Sequence, residues 1–533
     1  MRFSFLTLII GLLFLLAGCF ESTPEAPKTP KAKPKLPTPE VVSVSPTDNG
    51  TTISLLPKIE VSFSLPMDSK LGKELPTDGS CTGVVQLSPD GFQTCALLIR
   101  TGNSDQQKSF QFLPTEPLRR KVRYQLRITP EAKSKKGAPL KSVYTTEDRF
   151  PTKWTISIGA SGDDLGLALR TDAQGRLLVA GASRFENDDN VSEDGFLALY
   201  DREGDQQWIQ QPGFGKLPNA LALQPTDSGW RLGALLPGAS GTTLALTSFG
   251  EDGAAGPPVE FSWPSAPQGS ALVLDPAGNL LSSGDTQRHL RVNHRRWKQR
   301  SSATLGSGIF VKALALHKRA TLYAGGIVTG PLDGTPSTHT QDGFVMKLDP
   351  SGLKRWSRRL PTAFSDAVTA LAANADGVVV AGVTGGKLRA NVSSLAEALE
   401  SGQGDDAFVV RFDAQGNPQW LQQLGTEADE RVHAIALSDN NTLAIGGSTQ
   451  GVFPEQQTAA QGDAFVSLLQ MDGTLLWTRQ FGTSGADEVR ALAFLPNGNL
   501  VATGSVGGSL DGHTHQGGLD VFVVQFDAEG KRL

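Results

Sequence analysis

His513-Thr514-His515, with Asp511 just upstream, is the stretch of this chain best equipped to hold a metal ion. Two imidazoles at alternate positions of a Gly-rich loop, beside a carboxylate, can chelate a transition metal. A solvated polar loop uses the same residues without one, and that is the expectation. Glu186 to Asp194 is the second candidate, with Asp188, Asn190, Ser192 and Asp194 spaced like the oxygen ligands of a calcium loop. Such a loop needs Gly at its sixth position and Glu at its twelfth, where this chain has Glu193 and Leu199. An exposed acidic loop fits better. The other histidines, at 289, 294, 317, 339 and 433, lie in no HExxH, and there is no GxSxG elbow, P-loop or CxxC. Asp stands two residues before Phe at 194, 342, 406, 463 and 520. A group kept at one place of a repeat is expected to cap a turn or strand, whereas a catalytic group should break the symmetry. No catalytic residue, metal or cofactor is expected. A net charge of −5 argues against general nucleic-acid binding, despite the basic stretch from His289 to Arg300.

The three cysteines divide by position. Cys19 ends Leu16-Ala17-Gly18-Cys19, after Arg2 and an apolar run from Phe3 to Leu16. That run is shorter than the roughly 20 residues of a spanning helix, and its basic start and small-residue end describe an export signal. The four residues resemble the bacterial lipobox, which implies a signal over 1–18 and lipidation of Cys19, with palmitate among the acyl groups. Phe20 in the next position leans towards the outer membrane rather than the inner. Residues 19–40 carry Pro at 24, 27, 30, 34, 37 and 39 among four lysines. Such a segment builds no core and extends as a polyproline II spacer. Cys81 and Cys95 remain as an even pair in an exported chain, at the ends of a hairpin-like segment. A disulfide is expected, a two-cysteine metal site being the alternative.

The elements are all β. Over 41–151, runs such as KIEVSFS from Lys58, KSFQFLP from Lys108 and RYQLRITP from Arg123 alternate as half-buried strands do. With VSFSLPMD from Val61 and FLPTEPL from Phe112, they resemble a bacterial Ig-like domain, which implies a β-sandwich. From 152 to 533 a different plan repeats. Small, apolar innermost strands are predicted at Leu165–Thr171, Asn219–Pro225, Ser270–Pro276, Val311–His317, Ala367–Ala373, Val432–Ser438 and Val489–Leu495. Each is followed by a second strand ending in Gly, a third opening at Asp-x-Phe, and a fourth opening at Trp154, Trp208, Trp297, Trp356, Trp420 or Trp477. The second and third units are worn, so six or eight units remain alternatives to seven. The last unit lacks a fourth strand, and the stretch at about 153–158 has no third strand before it. Joining the two predicts a closed seven-bladed propeller with no open edge.

The motifs W-x-R/Q-Q-x-G-T, A-x-A-L, G-N-L-V-A-x-G and D-A-F-V resemble the bacterial β-propeller repeat family often called SBBP. That resemblance implies an exported binding module more than an enzyme. The expected function is a lipid-anchored envelope protein whose propeller binds a protein or glycan, through loops between second and third strands that differ from unit to unit. A short helix is expected at SSLAEALESG, from Ser393. Alternatives are a glycan hydrolase or lyase with its site at the channel mouth, and an assembly factor for outer-membrane proteins.

Overall fold

A computed structural model describes residues 36–533 apart from 47–56, 264–270, 284–288, 293–307, 335–340, 397–400 and gaps of one to three residues. The signal, Cys19, the linker to residue 35, and His294, Trp297 and His339 lie outside the described residues. Among the described residues no helix is long and apolar enough to cross a membrane.

The first domain is a sandwich of two antiparallel sheets. One has the order Val41–Ser45, Ile59–Phe63, Ser109–Pro114, Leu98–Asn103; the other pairs Arg123–Ile128 with Val85–Ser88, Tyr144–Thr145 and Phe150–Pro151. Alternation buries Phe63, Phe110, Phe112, Leu87 and Leu126 between them. A disulfide joins Cys81 to Cys95, with Cα atoms 5.2 Å apart.

Among the described residues seven consecutive sheets follow, numbered 1 to 7 here, with strands lettered a to d from the centre outwards. The a strands are Asp164–Thr171, Ala220–Thr226, Leu272–Leu274, Ile309–His317, Asp366–Asn374, Glu430–Leu437 and Asp487–Phe494. Each touches the next and the seventh touches the first, so they enclose a channel in a β-propeller. Strand d of sheet 7 is Thr155–Ile158, which pairs with Asp520–Phe526 through Ile156↔Val523 and Ile158↔Val521. The Trp154 amide also donates to the Leu533 carbonyl. The ring closes as its sequence predicts.

Five sheets share a backbone device. In sheets 1, 4, 5, 6 and 7 strand a carries a bulge, between Gly166 and Ala168 in the first and between Val489 and Ala491 in the last. The glycine paired with each bulge on strand b is Gly181, Gly326, Gly382, Gly447 or Gly504. A Cβ there would lie 1.7–2.0 Å from a strand-a carbonyl oxygen. The recurrent second-strand Gly is therefore steric: it lets the two backbones close over the bulge. Sheet 2 pairs without a register shift, and sheet 3 shows three strands among the described residues. These are the two worn units.

The tryptophans join neighbouring sheets. Trp208, Trp356, Trp420 and Trp477 each donate their indole N–H to a carbonyl in the next sheet's c–d turn, at Glu251, Ala414, Met471 and Ala528. A glycine of that turn, such as Gly416 or Gly530, lies flat on the ring. These residues stand inside strand d rather than opening it, because the strand begins two residues earlier, as at Lys354 and Leu475.

Two local expectations are corrected. Apart from residues 188 and 189, which lie outside the described residues, Glu186 to Asp194 belongs to a ladder rather than an acidic loop, with pairs from Ser183↔Asp194 to Asn187↔Asn190. The expected helix is replaced by a hairpin in which Ser394–Ala396 pairs with Arg389–Asn391, and strand c of sheet 5 already begins at Ser401.

Candidate functional site

The channel and the mouth at which the a strands begin are the candidate site. That mouth gathers the d–a connections and the b–c loops. At four of the sheet junctions there, a pair of carboxylates meets, all of them buried except the half-buried Asp406. One comes from the first residue of strand a (Asp366, Glu430, Asp487 or Asp164), the other from the Asp-x-Phe position of the preceding sheet (Asp342, Asp406, Asp463 or Asp520). The a-strand acid accepts the amide four residues upstream, from Thr362, Thr426, Thr483 and Ala160 at 2.6–2.9 Å. The three threonines add a hydroxyl bond to the same carboxylate. The partner Asp takes a side chain from strand d or the loop: Gln423, Gln480, Arg359 or His515. The a-strand acids thus cap the d–a turns, while the repeated Asp ties strand c to strand d or to the b–c loop.

The pairing has an electrostatic cost. Burial pushes the Asp366 carboxyl up to about 6, opposed by bonds from Thr384 and Thr362 and reinforced by the negative Asp342. Asp164, Glu430 and Asp487 are raised for the same first reason, with Asp520, Asp406 and Asp463 adding repulsion. A folded-state value above the unfolded one means that the folded chain holds the proton more tightly. The resulting stability is complete below about pH 4 and is lost as pH rises to about 6. Asp366→Asn keeps the shape and removes the charge. Between about pH 4 and pH 8 its urea-unfolding free energy should fall by about 2 kcal/mol less than that of the unaltered chain. Parallel pH profiles for the two would refute this.

The His-x-His loop is brought to the clasp. His513 Nε2 lies 3.2 Å from the Thr155 carbonyl, and His515 Nδ1 lies 3.0 Å from Asp520. Asp511 accepts from the Thr155 hydroxyl at 2.7 Å and from Arg532. The three side chains serve different partners, all tied to the closing strand or its neighbours. No group of three metal-ligating side chains converges among the described residues.

Inside the channel, His433 Nε2 faces Glu488 at 3.4 Å, and Glu488 also binds Arg490 at 2.6 Å. Burial, with Arg490 and Arg431 nearby, drives the imidazole down to about 4 against the pull of Glu488, so it is neutral at pH 7. Sequence reasoning missed two features of this region. The a-strand acids follow a four-residue spacing, Thr362 to Asp366, Thr426 to Glu430 and Thr483 to Asp487, which is readable in the repeat. The His433 group has no motif, because its members come from different sheets.

Comparison with known proteins fits this architecture. The bacterial Ig-like domain family matches residues 37–152, and the WD domain, G-beta repeat family matches residues 474–516. The regulatory protein FlaEY of Caulobacter vibrioides is 30% identical over 182 residues, 33% of this chain. The match covers only 19% of that relative's own length. Among solved structures, the Pan2 WD40 domain of Neurospora crassa is similar over 68% of this chain and 88% of its own, at 10% identity and a TM-score of 0.39. Chaetomium thermophilum Sqt1 is similar over 70% and 98%, at 12% identity and a TM-score of 0.42. Residues 37–152 thus match the bacterial Ig-like domain family, and a β-propeller follows them.

Proposed function

We propose that this protein is an exported lipoprotein, anchored through Cys19 to the bacterial envelope and more specifically to the outer membrane, whose propeller is a docking platform for an envelope protein or glycan. The Pro-rich linker and the Ig-like domain serve as its stalk. One observation carries the reading: the repeated Asp, Gly and Trp residues serve to hold strands and sheets together. That leaves the b–c loops as the part free to differ. They run from two-residue connections in sheets 1 and 2 to the long connections at 329–341, 450–462 and 507–519. Recognition is expected to reside in such loops, held by a rigid scaffold.

The test is crosslinking and affinity capture with the intact lipoprotein, comparing the unaltered chain with one whose 507–519 loop is replaced by a short turn. A partner captured by the first and lost from the second supports the platform. Turnover of an envelope glycan with no partner captured would replace it with an envelope enzyme. The anchor has its own test. Cys19→Ser should move the protein from the membrane to the soluble fraction, and its retention in the membrane would disprove the anchor.

A further inference from the structure

Acidic residues outnumber basic ones in this chain, 54 to 49, yet one part of the channel has the opposite balance, the acids Asp172 and Asp439 lining the adjoining part. Around a cavity of about 640 Å³, the described lining includes Arg170 from sheet 1, Lys312 from sheet 4 and Arg490 from sheet 7, and neither Asp nor Glu. All three side chains are exposed to the channel's interior. Arg170 and Lys312 make no side-chain hydrogen bond or ion pair among the described residues. Arg490 is partly neutralised by Glu488, and Arg431 lies close enough to influence His433. The rest of the wall is mostly Ala, Leu, Val and Ile, including half-buried Leu167, Leu221 and Leu314, with Asn219, Thr369 and His433 as its polar members.

Like charges converging from different sheets in a narrow space repel one another more strongly than at an open surface, because the wall excludes part of the screening solvent. Nothing in the fold requires them there. Lys312 and Arg490 occupy the bulge position of strand a, where sheet 1 has Leu167 and sheet 5 has Thr369, and the place of Arg170 is taken by Ala372 in sheet 5, so the ring is built equally well without charge. A cavity between about 300 and 1,000 Å³ with a few convergent polar groups on an apolar wall has the proportions of a small-molecule site. We propose that the channel is a binding site for a small organic anion bearing two or more negative charges. Arg170 and Lys312 are its principal anchors, Arg490 a third, and neutral His433 a hydrogen-bonding neighbour. A phosphate monoester and a dicarboxylate both carry that charge. The site is separate from the loop face, so its failure would leave the docking platform intact, and the converse holds.

The test is calorimetric titration of the purified full-length chain in detergent, at about 50 mM salt, where screening is modest. Glucose 6-phosphate and succinate are the two probes, with glucose as the neutral control. Saturable one-to-one binding of at least one anion is expected, without glucose binding, and the preferred probe identifies the headgroup. Arg170→Gln combined with Lys312→Gln should weaken binding about tenfold or more. Glu488→Gln, which releases Arg490, should tighten it. The opposite sign of this second variant separates loss of a site from loss of folding. No saturable binding of either anion up to about 10 mM overturns the proposal. So does unchanged affinity in both variants.

Discussion

Trp154→Ala is expected to cost the propeller about 3–5 kcal/mol, in the range for truncating a fully buried aromatic side chain. Trp154 is completely buried beside Ile156, Val521 and Val523, and Gly204 of sheet 1 packs against its indole. Truncation opens a cavity at the one junction where the sheet is assembled from both ends of the domain. The neighbouring strand, Thr155–Ile158, has only four residues and pairs with a single strand, so it has little to fall back on. Release of that strand would expose the edge of Asp520–Phe526, and aggregation should rise with the loss of stability. Thermal unfolding and limited proteolysis within 155–158 are the measurements. A melting temperature equal to that of the unaltered chain would show that closure does not depend on this tryptophan.

Gly504→Ala should have a comparable or larger effect, about 4 kcal/mol or more, enough to abolish folded protein in a marginal host. The added Cβ would meet the Glu488 carbonyl oxygen at 1.9 Å, its carbonyl carbon at 2.9 Å and the Val489 Cα at 3.0 Å. All three are backbone atoms at the bulge, so no side-chain rotation relieves the clash. The φ of Gly504 is ordinary, which makes the cost steric rather than conformational. Gly256→Ala is the control, because its Cβ would meet the Ser248 carbonyl at a tolerable 3.4 Å. Soluble yield and thermal melting distinguish them. A Gly504→Ala protein that melts with the control would mean that the two strands can separate at no great cost.

The sequence exposed what repeats and concealed what repetition brings together. Strand a was readable because Ala and Leu recur at one place in every unit, and the closing strand because one unit had a surplus and another a lack. The second-strand glycines were visible as letters, but their reason was not: a bulge is a register shift between paired strands, and no single strand records it. The acid pairs were half-visible. Asp463 and Asp520 stood out beside Phe, whereas their partners Asp487 and Asp164 are separated from them by a loop or by most of the domain. His513 and His515, two apart in sequence, turn to different partners, the Thr155 carbonyl and Asp520, which their spacing does not reveal. The channel charges were the least readable, because Arg170, Lys312 and Arg490 meet only after the ring exists.

The clasp has a temporal side. On a ribosome, Thr155–Ile158 is made before any other strand of the ring, and its partner Asp520–Phe526 is made last. Thr155 and Asp511, which are hydrogen-bonded in the finished protein, are 356 residues apart along the chain. For the whole interval of synthesis, the closing strand is an orphan edge at the base of the growing molecule. Two chains emerging side by side offer each other the same vacancy and the same strand, so crowded synthesis favours exchange, with each ring completed by its neighbour.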